Sequence, residues 1–525
     1  MSEPDAPTTS SVPAPLDEGL PVPELPSPPI PSQAANNRFD LRGRSLRQHA
    51  ARGTITNAFF LVALSALGLV KGFILARFLT RGDYGMWGIL MVSLGTLLWL
   101  KQAGIGDKYL EQDEPDQELA FQKAFTLELL FTMFWVALLA AALPVITIVY
   151  GEPRLIALGI VVILILPAGV LQAPLWVYYR RMEFVKQRVL QAIDPIVGLV
   201  VAIGLAVAGA GYWAFAGGAL AGAWTAAAVA VWYSPFKLRL RYDRGTMHRY
   251  VSFSWPLIVA GGAAMLIPQA ATLATKAHLG IAAVGALALA ATLSEFTNRV
   301  DYVVTGALYP AICAVKDRTE LLLESFVKSN RLALMWAVPF GFGLTLFCAD
   351  LVKFGIGEKW RPAIVVLQVY GVVAAIGHIG FNWDAYLRAR DDTRPIAVAG
   401  IVAAVAFLAT GLPLLFVDGL RGLAVGVGIQ AAAYLVCRAY FLHRLFNGFA
   451  FAWHALRAVL PTIPAVAVVL CMRLAETGDR TVETAALELG AYLGVTVIAT
   501  WLLERPLLRE ATGYLSARRP VGAPS

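Results

Sequence analysis

Apolar stretches long enough to cross a bilayer follow one another from Thr54 to Leu507, about fourteen of them, and Lys and Arg collect in every second gap. A hydrocarbon core about 30 Å thick takes about 20 apolar residues to cross as a helix. Inside it each backbone N–H and C=O must find its partner within the structure. The chain is therefore expected to be an all-α polytopic membrane protein. Of its 43 Lys and Arg, 30 fall in the even gaps and the two tails, 10 in the odd gaps, and Lys71, Lys101 and Arg299 inside or at the ends of spans. Basic residues stay on the cytoplasmic side. Both termini are thus expected in the cytoplasm, with an even number of spans.

Composition excludes other classes. With 58% hydrophobic and 15% charged residues, too little polar surface exists to cover a water-soluble particle of this size. The net charge of +8 is spread over loops such as Lys237 to Arg249, without the single aromatic-laced patch that nucleic acid requires. Cys313, Cys348, Cys437 and Cys471 stand too far apart for a disulfide framework or a zinc site. No GxxxxGK[ST] loop occurs, so ATP hydrolysis in this chain is not expected, and no cofactor or metal is implied.

Residues 1–50 read as a Pro-rich disordered cytoplasmic tail, because ten prolines fall in 1–36 and no apolar core of a signal peptide is present. The gaps expected outside the cytoplasm are all short and leave no room for a catalytic domain there. Ile105 to Ala120 and Leu308 to Lys328 read as surface helices or solvated linkers. Leu75-Ala76-Arg77-Phe78-Leu79 before Tyr84-Gly85 echoes Leu273-Ala274-Thr275-Lys276-Ala277 before Val284-Gly285. An even number of spans separates the copies, so an axis along the membrane normal would relate them. The expected organisation is an N-terminal six-helix lobe at 51–240, a C-terminal six-helix lobe at 241–445, two appended helices at 446–507 and a cytoplasmic tail at 508–525.

Several motifs carry a family resemblance. Ala76-Arg77-Phe78-Leu79-Thr80 and Asp83-Tyr84-Gly85, before Gly104-Ile105-Gly106-Asp107, resemble the opening of bacterial oligosaccharide flippases. Tyr179-Arg180-Arg181-Met182-Glu183-Phe184, Gly209-Ala210-Gly211-Tyr212-Trp213-Ala214, Ser252-Phe253-Ser254-Trp255-Pro256, Leu308-Tyr309-Pro310-Ala311 and Gly355-Ile356-Gly357-Glu358-Lys359-Trp360 follow in the order of the colanic acid and exopolysaccharide exporter branch. That superfamily also contains multidrug and lipid II transporters. The resemblance implies two lobes around a central cavity, two extra helices beside them, and a lipid-linked oligosaccharide as substrate. It implies that polyprenyl-diphosphate-linked units cross the inner membrane for exopolysaccharide, capsule or lipopolysaccharide synthesis, with a glycan polymerase and glycosyltransferases as partners. Where the branch places an acid in span 7, this chain has Gln269-Ala270-Ala271-Thr272.

The residues themselves point to candidate cavity positions, because polar groups inside a bilayer are costly and mark pathways. In span 8, Thr292, Glu295, Asn298, Arg299 and Tyr302 recur at helical spacing, with Glu295 and Arg299 as an i,i+4 pair. Arg299 reads as a phosphate ligand, or as half of a structural ion pair. Lys71 in span 1, and Gln269, Thr272 and Lys276 on one face of span 7, read as cavity residues or, for the two lysines, as side chains snorkelling to the interface. His378, Asn382 and Tyr386 form a stripe in span 10, read as a proton relay or as helix–helix hydrogen bonding. Glu128 and Asp194 are lesser candidates, and Arg180, Arg181, Lys186 and Arg188 read as headgroup attractors or topology signals. Competing functions are a drug or metabolite antiporter, a membrane-embedded glycan polymerase or ligase, and a scaffold docking through the Pro-rich tail.

Overall fold

The computed structural model describes residues 46–100, 105–111, 114–181, 183–247, 266–300, 317–390 and 394–516, with isolated positions 304, 308, 312 and 392. Residues 1–45 and 517–525 of the two tails, residues 251–265 at the start of span 7, which include Ser252-Phe253-Ser254-Trp255-Pro256, and Lys101, Tyr302 and Tyr309-Pro310-Ala311 lie outside the described residues. Among the described residues every regular element is helical, as backbone in hydrocarbon demands. Among the described residues, nine stretches are long and apolar enough to cross a bilayer, or ten if the bent pair Phe451–Val459 and Ile463–Ala475 is one span. One of the nine, Arg394–Leu445, runs through Asp418 and Gly419, which leave helical geometry. The expectation of fourteen goes beyond these stretches.

The helices used below are α1 (Leu46–Phe78), α2 (Arg81–Leu100), α3 (Gln117–Tyr150), α4 (Phe184–Val207), α5 (Trp213–Trp232), α6 (Leu266–Leu279) and α7 (Ile281–Ser294). After them come α8 (Thr319–Asp350), α9 (Ile364–Gly377), α10 (Trp383–Ala389), α11 (Arg394–Ala406), α12 (Leu412–Leu445), α13 (Phe451–Val459), α14 (Ile463–Ala475) and α15 (Val482–Ser516). The side where α1 begins is called the near side, and the side where it ends the far side.

Lipid tails are as apolar as leucine, so helices associate by close packing of small side chains. The face that α5 buries is built of Ala214, Ala216, Ala223, Ala226, Ala227 and Ala230, while Trp224, Val231 and Trp232 are exposed. The tightest seam joins α2 to α7. A Cβ on Gly85 would lie 2.1 Å from the Ile281 carbonyl oxygen, and one on Gly285 would lie 1.9 Å from that of Arg81. Only glycine permits both approaches. The contact is reciprocal: each glycine meets the carbonyl four residues before the other. A two-fold relation between the two copies of the sequence echo would produce such a reciprocal contact. The largest apolar core accordingly mixes the halves, with Leu75, Leu79, Tyr84 and Phe215 packed among Leu289, Leu293, Trp360 and Leu423.

Two clusters of ion pairs tie α14 and α15 to α8. On the far side Arg480 binds Asp350, Glu476 and Glu488, and Arg473 reaches Asp350 at 3.2 Å and Glu488 at 3.1 Å. Toward the near side Arg331 pairs with Glu504 and Lys328 with Glu510. Between them the Tyr492 hydroxyl donates to the Pro339 carbonyl over 2.7 Å. Surface pieces are also fixed. Ile105–Glu111 is a short helix whose last carbonyls, on Tyr109 and Leu110, accept from Arg180. That guanidinium therefore acts as a helix cap.

Candidate functional site

The span-8 stripe lies where its helix changes pitch. α7 ends at Ser294, and Glu295–Thr297 form a 3₁₀ turn before helix resumes. With three residues per turn, positions i and i+3 eclipse. Asn298 accordingly donates to Glu295 Oε2 over 2.8 Å. No ion pair joins Glu295 to Arg299 among the described residues, so the expected i,i+4 pair is replaced by an i,i+3 pair. The Arg299 guanidinium lies 5.6 Å from the Phe296 ring centre, and its Nε is buried without a partner among the described residues. Trp336 of α8 donates to the Phe296 carbonyl over 2.9 Å and occupies an acceptor at the irregular turn. Thr292 turns back on the Ala288 carbonyl, and Tyr302 lies outside the described residues.

The lysines part company. Lys71 of α1 has Asp194 of α4 as its electrostatic neighbour, although no ion pair joins them among the described residues. Lys276 instead forms an ion pair of 3.0 Å with Glu152, just beyond the far end of α3. On the same helix Gln269 donates to the Val92 carbonyl over 2.9 Å and Thr272 is buried. That face therefore packs against α2 and the α3 terminus.

The span-10 stripe sits in a helix break. α9 stops at Gly377, α10 starts at Trp383, and between them Gly380 takes a positive φ of 71°. A break inside a bilayer strands backbone groups that side chains must satisfy. Asn330 of α8 donates to the His378 carbonyl over 3.0 Å, and its Oδ1 accepts from the Gly380 N–H at 2.9 Å. Arg438 of α12 donates to the carbonyls of Gly377 and Ile379 over 2.6 and 2.8 Å. His454 of α13 lies 2.8 Å from the same Asn330 oxygen. Asn382 donates to Ser329 over 2.7 Å, and the Tyr386 hydroxyl lies 3.0 Å from Ser325. His378 Nδ1 is 2.6 Å from the Ala374 carbonyl, while its Nε2 is buried without a partner among the described residues.

The structure thus gathers the candidates into three places: the Glu295–Asn298–Arg299 turn, Lys71 with Asp194 as its charged neighbour, and the His378–Asn382 break with Asn330, Arg438 and His454. Sequence reasoning missed the last three residues. A polar side chain at 330 and an arginine at 438 within apolar segments were the available signals.

Bilayer-length helices with charged and amide groups lodged between them define a polytopic membrane protein of transporter fold. The chain belongs to the polysaccharide biosynthesis protein family, whose profile matches residues 74–365. It is 24% identical over 470 residues to the succinoglycan biosynthesis transport protein ExoT of Rhizobium meliloti (strain 1021), covering 86% of this chain and 92% of that one. It is 23% identical over 367 residues to the lipopolysaccharide biosynthesis protein WzxC of Escherichia coli (strain K12), covering 66% and 71%. Among solved structures, the lipid II flippase MurJ in an inward closed conformation superposes with a TM-score of 0.63 at 12% identity, over 87% of this chain and 99% of that one. An inward-facing multidrug resistance MATE family transporter superposes with a TM-score of 0.59 at 12% identity, over 75% and 99%. These likenesses establish a shared fold.

Proposed function

We propose that this protein is a flippase moving polyprenyl-diphosphate-linked oligosaccharide repeat units across the bacterial inner membrane for exopolysaccharide, capsule or lipopolysaccharide synthesis. Both termini are cytoplasmic in this reading, so the near side is the cytoplasm. The two lobes, 51–240 and 241–445, enclose the path, and 446–507 flank it. Family membership and the two curated relatives support the substrate class.

The observation that carries the reading is the placement of two cations, one in each half. Lys71 lies about 10 Å short of the far end of α1, and Arg299 lies about 27 Å along its helix from Ile281, toward the near side, at 1.5 Å per residue. A diphosphate headgroup meets Arg299 first and Lys71 later. Each cation lowers the cost of holding anionic oxygens where water is scarce, and the guanidinium grips two of them at once. Asp194 is the acidic group nearest in effect to Lys71. The polyprenol tail stays in lipid, so only sugar and phosphate need a polar route. The membrane potential supplies the drive: two negative charges moving outward gain about 4–5 kcal/mol at 100 mV.

Deleting the gene tests this reading. Lipid-linked single repeat units should accumulate on the inner leaflet and polymer export should stop. Single units that reach the outer leaflet and merely fail to polymerise would instead favour a polymerase.

A further inference from the structure

Three of the motifs that mark the family branch, those of Asp83-Tyr84-Gly85, Gly211-Tyr212 and Lys359-Trp360, meet on the far side, where the C-terminus of α1 meets the other half of the molecule. The last four carbonyls of a helix have no partner within it. Here Leu75 accepts from the Leu79 N–H over 2.8 Å. The next two carbonyls are taken by residues almost three hundred positions away: Ala76 accepts from Trp360 Nε1 and Arg77 from Lys359 Nζ, each over 2.8 Å. The ammonium sits at the negative end of the α1 dipole, where a cation is favoured. Trp360 is fully buried, and its ring meets the edge of Tyr84 with centres 4.9 Å apart. Tyr84 in turn meets Phe215 at 4.9 Å. Asp83 accepts from the Tyr212 N–H over 2.9 Å, which ties the third motif to the first. Beside Tyr84 lies Gly85, half of the glycine seam between α2 and α7.

We propose that Lys359 and Trp360 form a latch: by capping the C-terminus of α1 they hold the far side shut, and they must let go each time it opens. The transport role of the latch rests on the flippase reading, whereas its existence does not. The bonding chemistry suits a reversible closure. Both acceptors are backbone carbonyls at a helix end, and both donors are groups that water solvates readily once the halves part. Losing one neutral hydrogen bond therefore shifts the closed-to-open ratio by roughly fivefold rather than destroying the fold. Closure also brings the Gly85–Gly285 seam together, so that seam is the surface the latch protects.

The test uses full-length protein in intact cells, with the four native cysteines replaced and one reporter cysteine at Ala288, which faces Gly88 across the seam. A membrane-impermeant maleimide is added from outside. Gly285→Leu is the control for opening, since a side chain there cannot fit against Arg81 and must raise labelling. At matched protein levels, Trp360→Phe, which keeps a ring but removes the donor, should raise the labelling rate roughly fivefold, and Trp360→Ala more. Lys359→Met should raise it less than Trp360→Ala. Unchanged labelling in Trp360→Ala, beside a positive Gly285→Leu control, overturns the latch. Increases seen only in inverted membrane vesicles would keep the latch and overturn the proposed orientation. Loss of labelling changes is thus separable from loss of polymer export, which tests the flippase reading.

Discussion

Asn330 is expected to be the most stability-critical polar residue of the span-10 break. Its side chain is fully buried and makes three hydrogen bonds: to the His378 carbonyl at 3.0 Å, from the Gly380 N–H at 2.9 Å, and with His454 Nε2 at 2.8 Å. An amide oxygen has two lone pairs, and the Gly380 N–H and the histidine fill both, so His454 must carry its proton on Nε2. Asn330→Ala removes all three bonds and strands two backbone groups at a site no water reaches. At about 0.6 kcal/mol per hydrogen bond between membrane helices, the loss is about 2 kcal/mol. Counted as two buried unsatisfied backbone groups, it rises to about 2–6 kcal/mol. His454→Phe removes one bond and keeps ring packing on Phe449, whose centre lies 5.4 Å away, so it should cost about 1 kcal/mol. The double variant should cost little more than Asn330→Ala alone, since the bond is already gone. Denaturation of purified protein in mixed detergent micelles measures all three. Full additivity, or Asn330→Ala as stable as the parent, would refute the claim that this residue satisfies the break.

Arg299→Ala is expected to abolish polymer export while the protein stays inserted, and Arg299→Lys to retain part of it through charge; adding Glu295→Ala should not rescue it, because Glu295 is bonded to Asn298, and rescue would remove Arg299 from the path. Lys276→Ala, which breaks a partly exposed pair with Glu152, should change stability by about 0–1 kcal/mol and leave export near the parent level; abolished export at normal protein levels would return Lys276 to the cavity. Arg480→Leu leaves the buried Asp350 and Glu488 carboxylates with Arg473 as the cation held in common, and should destabilise by about 3–5 kcal/mol, read as earlier melting and faster protease cutting in the loop before α15. The Asp243 carboxyl is held below the usual range because the Thr246 hydroxyl and N–H both donate to it. Its contribution is present above the unfolded carboxylate value of about 4 and is lost as pH falls through the lower folded value. Protection of the Thr246 amide from hydrogen exchange should therefore persist at pH 5 and vanish only in stronger acid, and loss already at pH 5 would contradict the bond.

The division between sequence and structure follows the range of the forces involved. Apolar length and charge alternation are local and additive, because every residue meets the bilayer separately. They were enough to establish a helical polytopic chain, and the motif order was enough to indicate the family. The weak echo between Tyr84-Gly85 and Val284-Gly285 was legible as well, but the contact between the two glycines was not: only the fold brings them together. Side-chain partnership depends on which helices become neighbours and on where a helix leaves its regular pitch. The i,i+4 spacing of Glu295 and Arg299 is an inference from 3.6 residues per turn, and a single 3₁₀ turn substitutes Asn298. Lys71 and Asp194 belong to different spans, as do Asn330, Arg438 and His454, and nothing in their separation along the chain sets their distance in space. The Lys359-Trp360 motif was legible as a family mark, but its physical use as a cap for α1 required tertiary structure. A helix end's unsatisfied carbonyls are the same in every sequence, and packing alone decides which distant donor reaches them.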